Sequence, residues 1–124
     1  MSKRYKDYVC PVCFMQLSHC TCKVSPWELI QIDAKIQHAV KVLNAKGYYT
    51  KYSCEGHYSG KNCVVEGYIL FDITPNDYPQ GWRKSKNRIY YHMKPMNKKE
   101  FIEEQEKNIE ALNKWADELK KGSA

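Results

Sequence analysis

"KYSCEGHYSGKNCVVEGYILF", Lys51 to Phe71, reads as a strand, a tight polar loop and a second strand. The first strand belongs to "YYTKYSC", which alternates in polarity and is rich in β-formers. The second, in "EGYILFDI", puts Ile69, Phe71 and Ile73 on one face and Tyr68 and Leu70 on the other. Two apolar faces predict a central strand. Gly56, between the strands, permits a sharp turn with positive φ.

The flanks say what covers this sheet. Upstream, Ser25 is a candidate N-cap, Pro26 takes the first helical position and Glu28 completes a capping box. Leu29, Ile32, Ile36, Ala39, Val40 and Leu43 follow at helical spacing, and Gly47 ends the run. The pattern predicts a helix over 25–47. Downstream, "ITPNDYPQGWRKSKN" reads as a long exposed loop and "NRIYYHM" as a third strand. A last helix starts near Met96 and buries Phe101, Gln105, Ile109, Leu112, Ala116 and Leu119. The expected fold is α+β (or a small α/β): a three- to four-stranded sheet backed by two helices. Its parts are a zinc knuckle at 1–24, a body at 25–121 and a frayed tail at 122–124.

"CPVCFMQLSHCTC" defines the head. Cys10 and Cys13 have the two-residue gap that wraps a Zn²⁺ ion, and Cys20 and Cys22 form a tighter second pair. Six residues separate the pairs, too few for a DNA-reading finger with its own helix. The expectation is one structural zinc on Cys10, Cys13, Cys20 and Cys22, with His19 an alternative ligand. A closed site of this kind does no chemistry and stabilises a segment with few apolar anchors. A redox pair at Cys10 and Cys13 would need a helix after Cys13, and no helical pattern follows it.

The 124 residues predict one compact domain, large enough to hold a real core. The formal charge is +6, reduced to about +4 by a four-thiolate zinc site. That is mildly basic and suits an anionic partner. "MSKRYKDYVC" has no apolar run behind its cations, so no signal peptide is expected. The longest apolar runs are too short to span a bilayer. A cytoplasmic protein without membrane contact is the expectation, and six Cys there point to metal or reactive thiols.

The hairpin end concentrates chemistry. Amides around Gly56 can form an anion-binding nest, while Ser53, His57, Ser59 and Lys61 add polar or charged groups. "GHYSGKN" approaches the pattern of a phosphate loop but fails it. Only three residues separate the glycines, Asn62 follows Lys61, and a strand comes next. Three readings stay open. Cys54 is a nucleophile with His57 as base, although no third, orienting group is visible. Cys54, His57, Cys63 and His92 bind a second metal. Or the loop binds an anionic ligand without chemistry.

"ELIQIDAKIQHAVKVLNAKGYYTKYSCEGH" resembles a helix–strand–loop unit of small Firmicute and phage proteins with an SCxGH motif. More distantly, it is similar to the "SSCSGR" segment of wybutosine-synthesising tRNA methyltransferase proteins. The likeness covers about residues 29–58 and carries over to Ser53, Cys54, Gly56 and His57, with His57 where that family has Arg. It implies that the hairpin end is the site. No feature of this sequence would hold S-adenosylmethionine.

Loop 74–88 interleaves Tyr78 and Trp82 with Arg83, Lys84, Lys86 and Arg88, a mixture that can stack bases and neutralise phosphates. Tyr48, Tyr49, Tyr52, Tyr58, Tyr90 and Tyr91 are further stacking candidates if they lie on an open sheet face. The expected function is a zinc-containing binding protein for a nucleotide, a nucleotide-derived signal or RNA. Ser53, Cys54, Gly56, His57, Lys61, Trp82 and Arg83 form the expected ligand site. The alternatives are an RNA-modifying or thiol-dependent transferase using Cys54 and His57, and a zinc-headed protein-interaction module.

Overall fold

The structure is a computed structural model and describes residues 8–15, 21–22 and 29–120. The chain runs β1 (Tyr8–Val9), β2 (Ile30–Gln31), a 3-10 turn (Ala34–Ile36), α1 (Gln37–Ala45), β3 (Thr50–Cys54), β4 (Val65–Phe71), β5 (Arg83–Lys84), β6 (Arg88–Met93) and α2 (Lys98–Glu118). The expected α+β architecture is present. One antiparallel sheet has the order β3-β4-β6-β5, and β1 and β2 form a second, two-stranded sheet.

β4 lies inside the larger sheet, as its two apolar faces predict. Val65, Ile69 and Phe71 of β4 and Ile89 and Tyr91 of β6 point at the core, and Gly67 is buried on the same face. Ile36, Ala39, Val40 and Leu43 meet them from the α1 side, and Ile109, Leu112, Trp115 and Ala116 from α2. Both helices therefore cover one face. The opposite face carries Glu66, Tyr68 and Leu70 of β4 and Arg88, Tyr90 and His92 of β6, none of them fully buried. Ile73, expected to continue the buried row, lies past the end of β4 and is exposed.

α1 is shorter than the apolar spacing predicts. Ser25, Pro26 and Glu28 lie outside the described residues, but Ile30–Gln31 is a strand rather than helix. It pairs antiparallel with Tyr8–Val9, so the backbone of the head takes these hydrogen bonds. Asp33 keeps extended angles (φ −52°, ψ 136°) before the 3-10 turn begins. Ile32 still reaches the core, at 5% exposure, from extended chain. Apolar residues three apart fit a helix or a strand that turns inward, and pairing with the backbone of Tyr8–Val9 selects the strand. Gly47 ends the helical segment at φ 93°, as expected.

The loop after β4 is also more ordered than its composition suggests. Pro75, Pro79 and Trp82 are buried in it. Trp82 donates its Nε1–H to the Asn108 carbonyl of α2 at 3.0 Å. That anchor lets Arg83–Lys84 fold back on β6 as a fourth, edge strand.

Candidate functional site

The head is built around sulfur. Cys10 Sγ accepts the amides of Val12 at 3.3 Å and Cys13 at 3.5 Å. Phe14 N–H donates to the Cys10 carbonyl and Cys10 N–H to the Met15 carbonyl, each at 2.9 Å. Phe14 takes a left-handed φ of 58°, rare for an aromatic residue and a sign that surrounding contacts dictate the turn. The Sγ atoms of Cys10, Cys13 and Cys22 lie within 4.8 Å of one another and could hold a metal ion. Cys20 and His19 fall outside the described residues. Val9 and Cys10 are fully buried and Phe14 packs on the core, so the head is pinned to the body.

The hairpin end is tied inward. Glu55 N–H donates to Asp33 Oδ2 at 3.0 Å, and Gly56 N–H points at Cys54 Sγ at 3.4 Å. The Glu55 carbonyl accepts from the Tyr91 hydroxyl and from Gln105 Nε2, and the Gly56 carbonyl accepts from Gln105 at 2.7 Å. These two amides, expected to form an anion nest, are already satisfied by a carboxylate and a sulfur. Gly56 is buried at φ 93°, and a Cβ there would stand 2.6 Å from the Tyr91 hydroxyl. Glycine is required here by packing against Tyr91 and by the turn, not by a ligand approaching the main chain. Burial pushes the Tyr91 hydroxyl up to about 12.

Cys54 and His57 do come together, and Asp33 joins them. Asp33 Oδ2 lies 3.1 Å from His57 Nε2, and ligand atoms of Asp33, Cys54 and His57 all fall within 4.8 Å of one another. Asp33 is the third group that the sequence hides inside an apparent helix, in "IQIDAKI". Burial pushes the Cys54 thiol above its ordinary 9.0, and the Asp33 carboxylate adds to the rise against the Gly56 amide. A thiol held protonated is a poor nucleophile. Cys63 is exposed in the turn at 60–63, and His92 pairs instead with Glu66 at 2.5 Å on the sheet. Neither belongs to the Asp33 cluster. Lys61 is exposed in that same turn, which Asn62 N–H ties to the Pro95 carbonyl at 2.8 Å. Among the described residues, no hydrogen bond or ion pair joins Lys61 to the cluster.

The expected base-stacking role of Trp82 needs correction. At 3% exposure, edge-on to Tyr91 with ring centroids 4.9 Å apart, it belongs to the core. Tyr91 is likewise core. The uncovered face supplies other aromatics. Tyr68 and Tyr90 are direct cross-strand partners there. The Arg88 guanidinium stands 4.5 Å from the Tyr90 ring centroid and 5.8 Å from that of Tyr68. Glu66 fixes it through two bonds of 2.7 and 3.3 Å. The Arg88 hydrogen bond leads in holding the Glu66 carboxyl below its ordinary 4.5, with His92 contributing. Arg83 pairs with Tyr90 from the other side and is exposed. Beyond β3, a groove of about 490 Å³ runs from Tyr68 and Ser53 to Phe14 and Ile30 of the head region. Ser53 lines this groove, half-buried, opposite Ile69.

The sequence names Tyr90, Arg83 and Arg88 but does not join Arg88 with Glu66, Tyr68 and Tyr90 into one group. The available signal was the strand period in "EGYILF" and "RIYYHM", which puts alternate residues on one side. No protein-family model, curated protein or solved structure matches the chain. Among the described residues, no helix is long and apolar enough to cross a membrane.

Proposed function

We propose that this protein binds single-stranded nucleic acid, RNA in the first instance, on the open face of its sheet, beside a head stabilised by structural zinc. The observation that carries the reading is the Tyr68–Tyr90 pair on the face away from both helices, with the Arg88 guanidinium over the Tyr90 ring and within 5.8 Å of the Tyr68 ring centroid. Unpaired bases expose π-faces, and aromatic side chains on a sheet accept them with little regard for sequence. Arg88, held in place by Glu66, extends that platform. Arg83, and Lys86 in the adjoining loop, are exposed and suited to the phosphates. A duplex offers no such faces. The net charge, about +4 with zinc on four thiolates, favours the same partner.

Zinc is the ion that best suits the head. Thiolates select soft or borderline metals, and amide-to-sulfur bonds around Cys10 stabilise the charged sulfur. Cys20, one residue before Thr21 and two before Cys22, would supply a fourth thiolate and close the site.

Fluorescence anisotropy with labelled short oligonucleotides tests the main claim. Single-stranded RNA is expected to bind more tightly than a duplex of the same sequence, with single-stranded DNA as the arm that reports on the sugar. Tyr90→Ala should weaken binding by roughly fivefold to a hundredfold, the range for losing one base stack. Arg83→Ala should weaken all sequences alike and lower the salt slope by about 0.7 for one lost phosphate contact. Equal affinity for duplex, or binding indifferent to both substitutions, would overturn the assignment.

A further inference from the structure

We propose that Asp33, Cys54 and His57 form a second metal site, for a borderline divalent cation of the Zn²⁺ or Co²⁺ type, with a coordination position open to water. The proposal is independent of the nucleic-acid reading and concerns a different set of ligands from the cysteine head.

Three different donors converge here from two parts of the chain. Asp33 stands on the extended link before the 3-10 turn, Cys54 ends β3, and His57 lies in the loop beyond it. All three ligand atoms fall within 4.8 Å of one another. In a tetrahedral site with bonds of about 2.0–2.3 Å, ligand atoms stand about 3.3–3.8 Å apart. The Asp33–His57 separation of 3.1 Å is therefore already close to a coordination edge. The two separations to the Cys54 sulfur lie within 4.8 Å.

The surroundings resemble a ligand shell more than a surface ion pair. Gly56 N–H is directed at Cys54 Sγ, as Val12 and Cys13 N–H are at Cys10 Sγ in the head. Cys54-x-x-His57 also has the same two-residue gap as Cys10-x-x-Cys13. Glu55 N–H holds the Asp33 carboxylate in place, the kind of outer bond that orients a metal-ligating carboxylate. The loop itself is clamped from beneath by Gln105, which is 1% exposed and bonds two successive carbonyls. A carboxylate and a sulfur held side by side repel when both are ionised, and a bound cation turns that arrangement from costly to favourable. One sulfur, one nitrogen and one oxygen fit Zn²⁺ or Co²⁺ better than Mg²⁺ or Ca²⁺, which prefer oxygen throughout. Three protein ligands leave a fourth position for water, the pattern of zinc sites that act on substrates rather than the closed pattern of structural ones.

The test titrates Co²⁺ into the metal-stripped full chain, followed by visible absorption, with native mass spectrometry of the zinc-loaded chain to count ions. The intact protein should take two ions per chain. His57→Ala changes an exposed side chain and should leave the fold intact by circular dichroism. It should hold one ion and weaken cobalt binding at the lost site at least about tenfold, the lower end of losses for perturbed metal sites. Cys54→Ser should likewise hold one ion and lose the sulfur-to-cobalt absorption of that site, while Cys13→Ser should leave it. A single ion in the intact protein that Cys54→Ser leaves in place, or two ions retained by His57→Ala with unchanged cobalt affinity, would overturn the proposal.

Discussion

Gly67 and Tyr91 face each other across the two central strands. A Cβ on Gly67 would stand 2.7 Å from Tyr91 Cζ and 2.8 Å from Cδ2, so the ring lies flat over the space a side chain would fill. Gly67 has no positive φ, and its glycine identity follows from this close approach alone. The same ring carries the hydroxyl that holds the Glu55 carbonyl, so one side chain links the middle of the sheet to the loop bearing His57. Gly67→Ala should destabilise by about 1–3 kcal/mol through overpacking, measured by urea unfolding. In a Tyr91→Leu background the same change should be nearly neutral. Equal costs in both backgrounds would refute the packing argument. A glycine inside a strand signals from sequence that something approaches closely, but the identity of the neighbour needs the register.

At the scale of elements, α2 was the most legible. Phe101, Gln105, Ile109, Leu112 and Ala116 are buried as the helical period requires. Its start is marked by Asn97, whose side chain accepts the Glu100 amide at 2.9 Å, while the Glu100 carboxylate accepts the Met96 amide at 3.4 Å. Asn97→Ala removes that acceptor and should lower stability by about 1 kcal/mol in thermal or urea unfolding. Asn97→Asp should restore most of it, and an Ala variant as stable as the parent would count against the cap. α1 and the loop before β6 were less legible, for one shared reason. Ile30–Gln31 and Arg83–Lys84 are only two residues each, and they are strands because a distant partner offers hydrogen bonds. Local propensity carries little information on pairings so short.

For the whole molecule, the decisive junction is between head and body. Val9 lies in the main core, and the head shares its two-stranded sheet with residues 30–31. Removing the zinc proposed for Cys10, Cys13 and Cys22 should therefore loosen more than the head. Chelation should lower the melting temperature and release amide exchange protection at Ile30 and Gln31, while β4 and β6 keep theirs. Hydrogen exchange followed by mass spectrometry reads both. Unchanged protection at residues 30–31 after complete metal removal would show that the core contacts alone hold the head. Because the link from β2 leads directly to Asp33, a loosened head should also disturb the cluster at the hairpin end.

The amino-acid order alone determined the α+β class, the central strand, the buried stripe of α2 and the cysteine cluster, because each is written in local period or spacing. It also marked Cys54 and His57 as neighbours, since they sit three residues apart on one loop. Tertiary structure alone decided that Asp33 completes their cluster, that Trp82 is core and that Tyr68, Arg88 and Tyr90 share an open face. These depend on strand register and on which face the helices cover. Both are set by the summed burial of residues far apart in the chain, and no local window contains that sum.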